Sequence, residues 1–325
     1  MAVSKRLLFP LLMVGSGVLS VSSFPLKVLS QDAGTPVVDG ASQMNLWQGI
    51  FLGFVQGATE FLPISSTAHL KAVPVALGWG DPGSAFSAAI QLGSIVAVLW
   101  YFWGDLKRVL TGAYIAIRRK DYRDTDFRIA LGIAIGTFPI VVLGLLLKIV
   151  FEEFYENTVR GMGVIAVVSI VMGILLGLAE IKGSRQRNFD KLTMGDGILM
   201  GCAQALALVP GASRSGSTLT AGLFMGLERG TAARFSFLLG IPAISLAGLI
   251  SLKDLFEVGV DNSQIITLAA SVISSGIFSY LAIAWLVEFL KTKSTWIFVW
   301  YRVIFGIAIL AGLYFGVIQD VQVGS

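Results

Sequence analysis

This 325-residue sequence has one cysteine, one histidine and few charges, and each scarcity narrows what the chain can be. The lone Cys202 excludes an internal disulfide and any cysteine-cluster metal site. Charged residues make up 14% of the chain, against about a quarter in soluble domains. What remains is 55% hydrophobic with a mean hydropathy of +0.80, the composition of an all-α polytopic membrane protein. The formal charge of +4 implies no nucleic-acid partner, because the basic residues sit between apolar runs and report membrane orientation.

Five charge-free runs approach or reach the roughly 20 residues that cross a bilayer. They are Ser84–Trp103, Ile129–Leu147, Gly161–Ala179, Phe235–Leu252 and Ile265–Val287, and a sixth, Trp296–Ile318, is interrupted only by Arg302. Lys5 and Arg6 precede an uncharged run from Leu7 to Pro25, which reads as a cleaved signal peptide or an extra N-terminal helix. No small-x-small cleavage site follows, which favours a retained segment. Loop charges alternate as the positive-inside rule requires. Lys107, Arg108, Arg118, Arg119, Lys120, Arg123 and Arg128 mark a cytoplasmic loop, and Glu152, Glu153 and Glu156 an external one. Lys182, Arg185, Arg187 and Lys191 then lie inside, Asp254, Glu257 and Asp261 outside, and Lys291 and Lys293 inside. Glu180, Lys148, Glu288 and Arg302 read as snorkelling charges near span ends, and Glu228, Arg229 and Arg234 as loop charges.

The chain repeats itself. Gly49-Ile50-x-x-Gly53-x-x-Gln56 returns as Gly197-Ile198-x-x-Gly201-x-x-Gln204, and Ser65 returns as Ser213 in the same frame. Each copy has one interrupted segment and three full spans, so the two must insert with opposite topology. The expected organisation is an N-terminal hydrophobic segment and linker over 1–45, a first repeat over 46–182 and a second over 195–318. Each repeat opens with a re-entrant helical hairpin, 46–79 and 195–229, giving six transmembrane helices plus two hairpins in one membrane domain.

The polar chemistry gathers at the two hairpin tips. In the first, Gln56 and Glu60 share a helix face, Pro63 breaks the helix, and Ser65, Ser66 and Thr67 lead to His69, the only histidine. The second reads Pro210-Gly211-Ala212-Ser213-Arg214-Ser215-Gly216-Ser217-Thr218, in which exposed N–H groups, hydroxyls and a planar guanidinium make an anion cradle. Plainer roles exist for several of these residues. Gln56 can satisfy a helix break, Gly211 and Gly216 can serve packing, the hydroxyls can cap helices, and Glu60 and Arg214 can form a structural ion pair. An embedded carboxylate is nonetheless costly and usually functional. Together the groups suggest phosphoryl transfer from a lipid. Glu60, with Gln56, offers oxygen ligands to a divalent cation, Mg²⁺ or Ca²⁺. Either Ser66 or a water attacks, and His69 moves the proton.

Both tips resemble the undecaprenyl-diphosphatase (bacitracin-resistance) family. Gln56 through His69 matches its Glu/Gln-x-x-x-Glu and Leu-Pro-x-Ser-Ser-x-x-His pattern, and Pro210 to Thr218 its Pro-Gly-x-Ser-Arg-Ser-x-x-Thr pattern. The resemblance covers about residues 45–318. It implies hydrolysis of undecaprenyl diphosphate in the bacterial plasma (inner) membrane, recycling the lipid carrier for peptidoglycan synthesis, with bacitracin resistance when abundant. It also implies metal dependence and a site opening to the periplasm. By matching positions, Glu60, Ser66, His69 and Arg214 are the implied catalytic residues. Ser65, Ser213, Ser215, Thr218 and Gly211 hold the diphosphate, and Glu60 and Gln56 meet the metal. The partners are the polyprenyl diphosphate and the bilayer, with a homo-oligomer left open. The rival reading is an inverted-repeat transporter or flippase of polyprenyl phosphate.

Overall fold

The computed structural model describes residues 44–80, 82–151, 155, 159–258 and 262–318. The expectations for the N-terminal segment and for Glu152, Glu153, Glu156 and Asp261 lie outside the described residues, as do the side chains of Lys148, Asp254 and Glu257. Every regular element among the described residues is helical. In chain order they are α1 (Leu46–Glu60), α2 (Ser66–Ala76), α3 (Gly83–Tyr101), α4 (Trp103–Arg119), α5 (Thr125–Val150), α6 (Met162–Lys182), α7 (Met194–Gln204), α8 (Arg214–Phe224), α9 (Arg229–Val258), α10 (Asn262–Thr292) and α11 (Trp296–Tyr314). Among the described residues, α5, α6, α9, α10 and α11 are long and apolar enough to cross a membrane, and α3 with α4 adds a sixth if that bent pair is one span. The protein is a multi-pass membrane protein. Trp100 and Trp103, about three-quarters and two-thirds exposed, face outward as an interfacial belt requires.

Local chemistry sets the helix starts. Asn45 and Gln48 form a reciprocal capping box on α1, and Thr193 and Asp196 form another on α7. The Asp124 carboxylate accepts from the first N–H groups of α5. At 15 and 11 residues, α1 and α7 are too short to span a bilayer.

The repeated glycines are points of close helix approach. A Cβ on Gly53 of α1 would overlap the Ser271 backbone of α10, and one on Gly201 of α7 would overlap Gly136 of α5. Thus α1 packs on α10 and α7 on α5, while α3 meets α9 and α6 meets α11. Each short helix leans on a long helix from the other half of the chain.

Four expectations need correction. The basic connection after the first apolar run is helix α4, bent 64° from α3. Val109, Ala113 and Ala116 form its buried face while Leu110, Tyr114 and Ile117 are exposed, an amphipathic pattern that its many charges disguise. Glu180 does not snorkel. It is buried and receives Arg229 Nε at 3.0 Å and Thr295 Oγ1 at 2.8 Å, which ties α6 to α9 and to the start of α11. Arg229 and Arg234 are accordingly not loop charges but lie in the first turns of α9, where Arg234 pairs with Asp105 at the start of α4. Arg302 is the fourth case, fully buried at 1% exposure.

Candidate active site

The first tip is built by a helix that must stop. Pro63 bars continuation of α1, and Ser65 takes a positive φ of 74° before α2 begins at Ser66. The second tip repeats this turn: Gly211 has φ 92°, Ser213 has φ 68°, and α8 begins at Arg214. Ser213 also caps α8, its Oγ accepting from Gly216 N at 3.1 Å.

Between the tips lies one constellation. Ser66 Oγ donates to Glu60 Oε2 at 2.6 Å, Gln56 Nε2 donates to the same oxygen at 3.1 Å, and Arg214 Nη2 approaches Glu60 Oε1 at 3.4 Å. Ser215 Oγ donates to Leu62 O at 2.9 Å, stitching one tip to the other. Glu60 and Arg214 side chains are only 7% and 9% exposed. Desolvating such a pair is expensive, so its retention points away from a purely stabilising role.

A cavity of about 370 Å³ opens on this constellation, a volume suited to a small polar headgroup. Gln56, Glu60, Ser65, Ser66, Gly211, Ser213 and Arg214 line it. The other expected site residues do not. Thr218 Oγ1 donates to Arg214 O at 2.8 Å and bonds Ser236, while Ser215 is engaged with Leu62. The two ring nitrogens of His69 are held by Ser65 O at 2.7 Å and Tyr301 Oη at 2.6 Å. The partner of the Ser66 hydroxyl is therefore Glu60 and not His69. Ile140, Ala207, Val209, Ala243, Ile244 and Ala247 add apolar side chains to the same lining.

Several neighbours of this constellation gave little sign of themselves in the sequence. Arg302 donates to Pro63 O at 3.0 Å, Gly211 O at 2.7 Å, Ala212 O at 3.2 Å and Ser169 O at 3.2 Å. Pro63 and Gly211 are equivalent positions of the repeat, so one guanidinium joins the two tips through matching carbonyls. Ser94 of α3, wholly buried, sits 3.4 Å from Gln56 Nε2 and bonds Ser275 and Ser279 of α10 at 3.1 and 2.8 Å. With its N–H groups directed at Glu60 and Ser94, Gln56 is left with its carbonyl for the cavity it lines. Lys71 and Arg160 add cationic side chains to the cavity wall, and Lys71 Nζ donates to Arg160 O at 2.6 Å. Among the described residues no group of three or more His, Cys, Asp or Glu side chains could hold a metal ion. Any cation here would rest on Glu60, the Gln56 carbonyl and oxygens of a ligand, a donor set that fits a hard ion bound mainly through substrate.

Comparison with known proteins shows what the chain is similar to. The family model described as bacitracin resistance protein BacA matches residues 49–308. A protein of Trichormus variabilis named undecaprenyl-diphosphatase is 61% identical over 98% of this chain and 100% of its own length. Proteins with the same name from Synechocystis sp. and Synechococcus elongatus are 58% and 60% identical over 88% and 87% of this chain, covering 88% and 99% of theirs.

Proposed function

The chain belongs to the bacitracin resistance protein BacA family, and from that premise we propose that it hydrolyses undecaprenyl diphosphate to undecaprenyl phosphate and inorganic phosphate. The observation that carries the reading is the Ser66–Glu60–Arg214 constellation on a cavity lined by polar and apolar side chains. Arg214 and the N-terminus of α8 receive the terminal phosphate. Ser66 Oγ attacks its phosphorus as Glu60 Oε2 takes the hydroxyl proton. The bond to the bridging oxygen breaks, and its electron pair leaves with undecaprenyl phosphate, which then accepts the proton from Glu60. A water next attacks the phosphoserine, gives its proton to Glu60, and Ser66 regains a proton as phosphate departs. Mg²⁺ or Ca²⁺ held by Glu60 and Gln56 would supply charge neutralisation on the transferring group.

The same reading places the protein in the plasma (inner) membrane as an inverted-topology repeat, 46–182 and 195–318, with the site opening to the periplasm. It is supported by the reciprocal packing of α1 on α10 and α7 on α5, and by the alternating loop charges. Such a protein recycles the lipid carrier of peptidoglycan synthesis and, in quantity, gives bacitracin resistance. The test is phosphate release by purified protein from the C55 diphosphate, with and without a chelator. Release that the chelator abolishes and added Mg²⁺ or Ca²⁺ restores is expected. Binding without release under every divalent cation would sink the enzyme reading and favour a flippase.

A further inference from the structure

His69 stands beside the proposed nucleophile in sequence, yet the α2 residues that line the cavity are Ser66, Thr67, Leu70 and Lys71. The imidazole is 4% exposed and lies flat on the Phe305 ring of α11, 4.3 Å between centroids at 10°. Its hydrogen bonds determine its proton. A carbonyl only accepts, so Nδ1 carries the hydrogen and gives it to Ser65 O, while Nε2 receives the Tyr301 hydroxyl. Among the described residues, Tyr301 and Arg302, neighbours on α11, are the titratable and charged groups that face the ring.

The residue held in this way is an unusual one. Ser65 has its φ in the left-handed region and makes no side-chain cap bond to α2. Its counterpart Ser213 adopts the same conformation but is secured by its own hydroxyl on Gly216 N. The first tip leaves the Ser65 hydroxyl to the cavity wall and fixes the backbone from behind instead.

Resting on the diphosphatase reading, we propose that His69 is a positioning residue: it pins the Ser65 carbonyl, is itself held by Tyr301, and so fixes Ser66 against Glu60. It moves no proton in the reaction. The test is the pH profile of kcat and the kcat–KM split for His69→Asn, His69→Ala and Tyr301→Phe, with melting temperature as a folding control. An asparagine amide stands near the place of Nδ1 and can donate to Ser65 O. His69→Asn should therefore keep most of kcat, with KM and the limbs of the pH profile unchanged. His69→Ala should lose kcat on the order of 100-fold at unchanged KM, as expected for a misplaced reacting group. Tyr301→Phe should fall between them with the wild-type pH profile. The inference is overturned if His69→Asn folds but is as inactive as His69→Ala, or if either His69 variant or Tyr301→Phe loses a limb of the profile. If wild-type protein releases no phosphate, it is the diphosphatase reading that fails, not this one.

Discussion

The two hairpin tips share a backbone and differ in what they carry. At a constant offset of 148 residues, Glu60 corresponds to Leu208, Ser66 to Arg214 and His69 to Ser217. One copy keeps the carboxylate and the hydroxyl, and the other turns the same first helical position into a cation. The satisfaction of polar groups follows this division. Gln56 bonds Glu60 and Ser94, whereas its counterpart Gln204 is wholly buried with neither amide atom partnered among the described residues, and the Ser217 hydroxyl is in the same state. On the proposed function, the chemistry is concentrated on one tip and anion binding on the other.

The comparison breaks most sharply at Glu60. Glu60→Gln should lower kcat by roughly 10²–10⁴-fold, the range for removing a positioned base, with little change in KM. Activity near wild type would mean that Glu60 serves only to neutralise Arg214. Arg214→Lys comes next, at about 10²–10³-fold, because a point charge cannot replace a planar fork aimed at phosphate oxygens. Steady-state phosphate release measures both. Arg302→Lys should keep the charge but satisfy fewer of the four carbonyls, costing about 1–3 kcal/mol of stability along with some activity. Unfolding in detergent reports it, and an unchanged midpoint would remove Arg302 as the link between tips. The smallest effect gives the finest contrast. Gln204→Leu should be neutral or raise stability by about 1–3 kcal/mol, since it replaces an unpartnered buried amide, and should leave turnover alone. Gln56→Leu should impair turnover. If the two behave alike, the division of labour is wrong.

Much of this was legible in the residues, and the rest was hidden for physical reasons. The breaks at Pro63 and Pro210 and the glycine repeat are local signals, and the helices stop and touch where they say. Arg302 shows the limit of such reading. A lone arginine near the end of an apolar run looks the same whether it reaches headgroups or lies buried among carbonyls, and only tertiary packing separates the two. Ser94 was invisible because serine is common in membrane helices and its partners lie about 180 residues away. His69 shows the converse. It follows Ser66 by about one turn, and that spacing does not reveal which face of α2 meets the cavity.

The central claim is that Ser66 of one tip attacks a phosphate held by Arg214 of the other. Rapid acid quench during turnover of undecaprenyl diphosphate labelled in its terminal phosphate, followed by peptide mapping, tests it most directly. The account predicts label on the peptide that contains Ser66, and its absence together with turnover in Ser66→Ala. An unlabelled protein, with Ser66→Ala releasing phosphate at the wild-type rate, would contradict it and assign the attack to water.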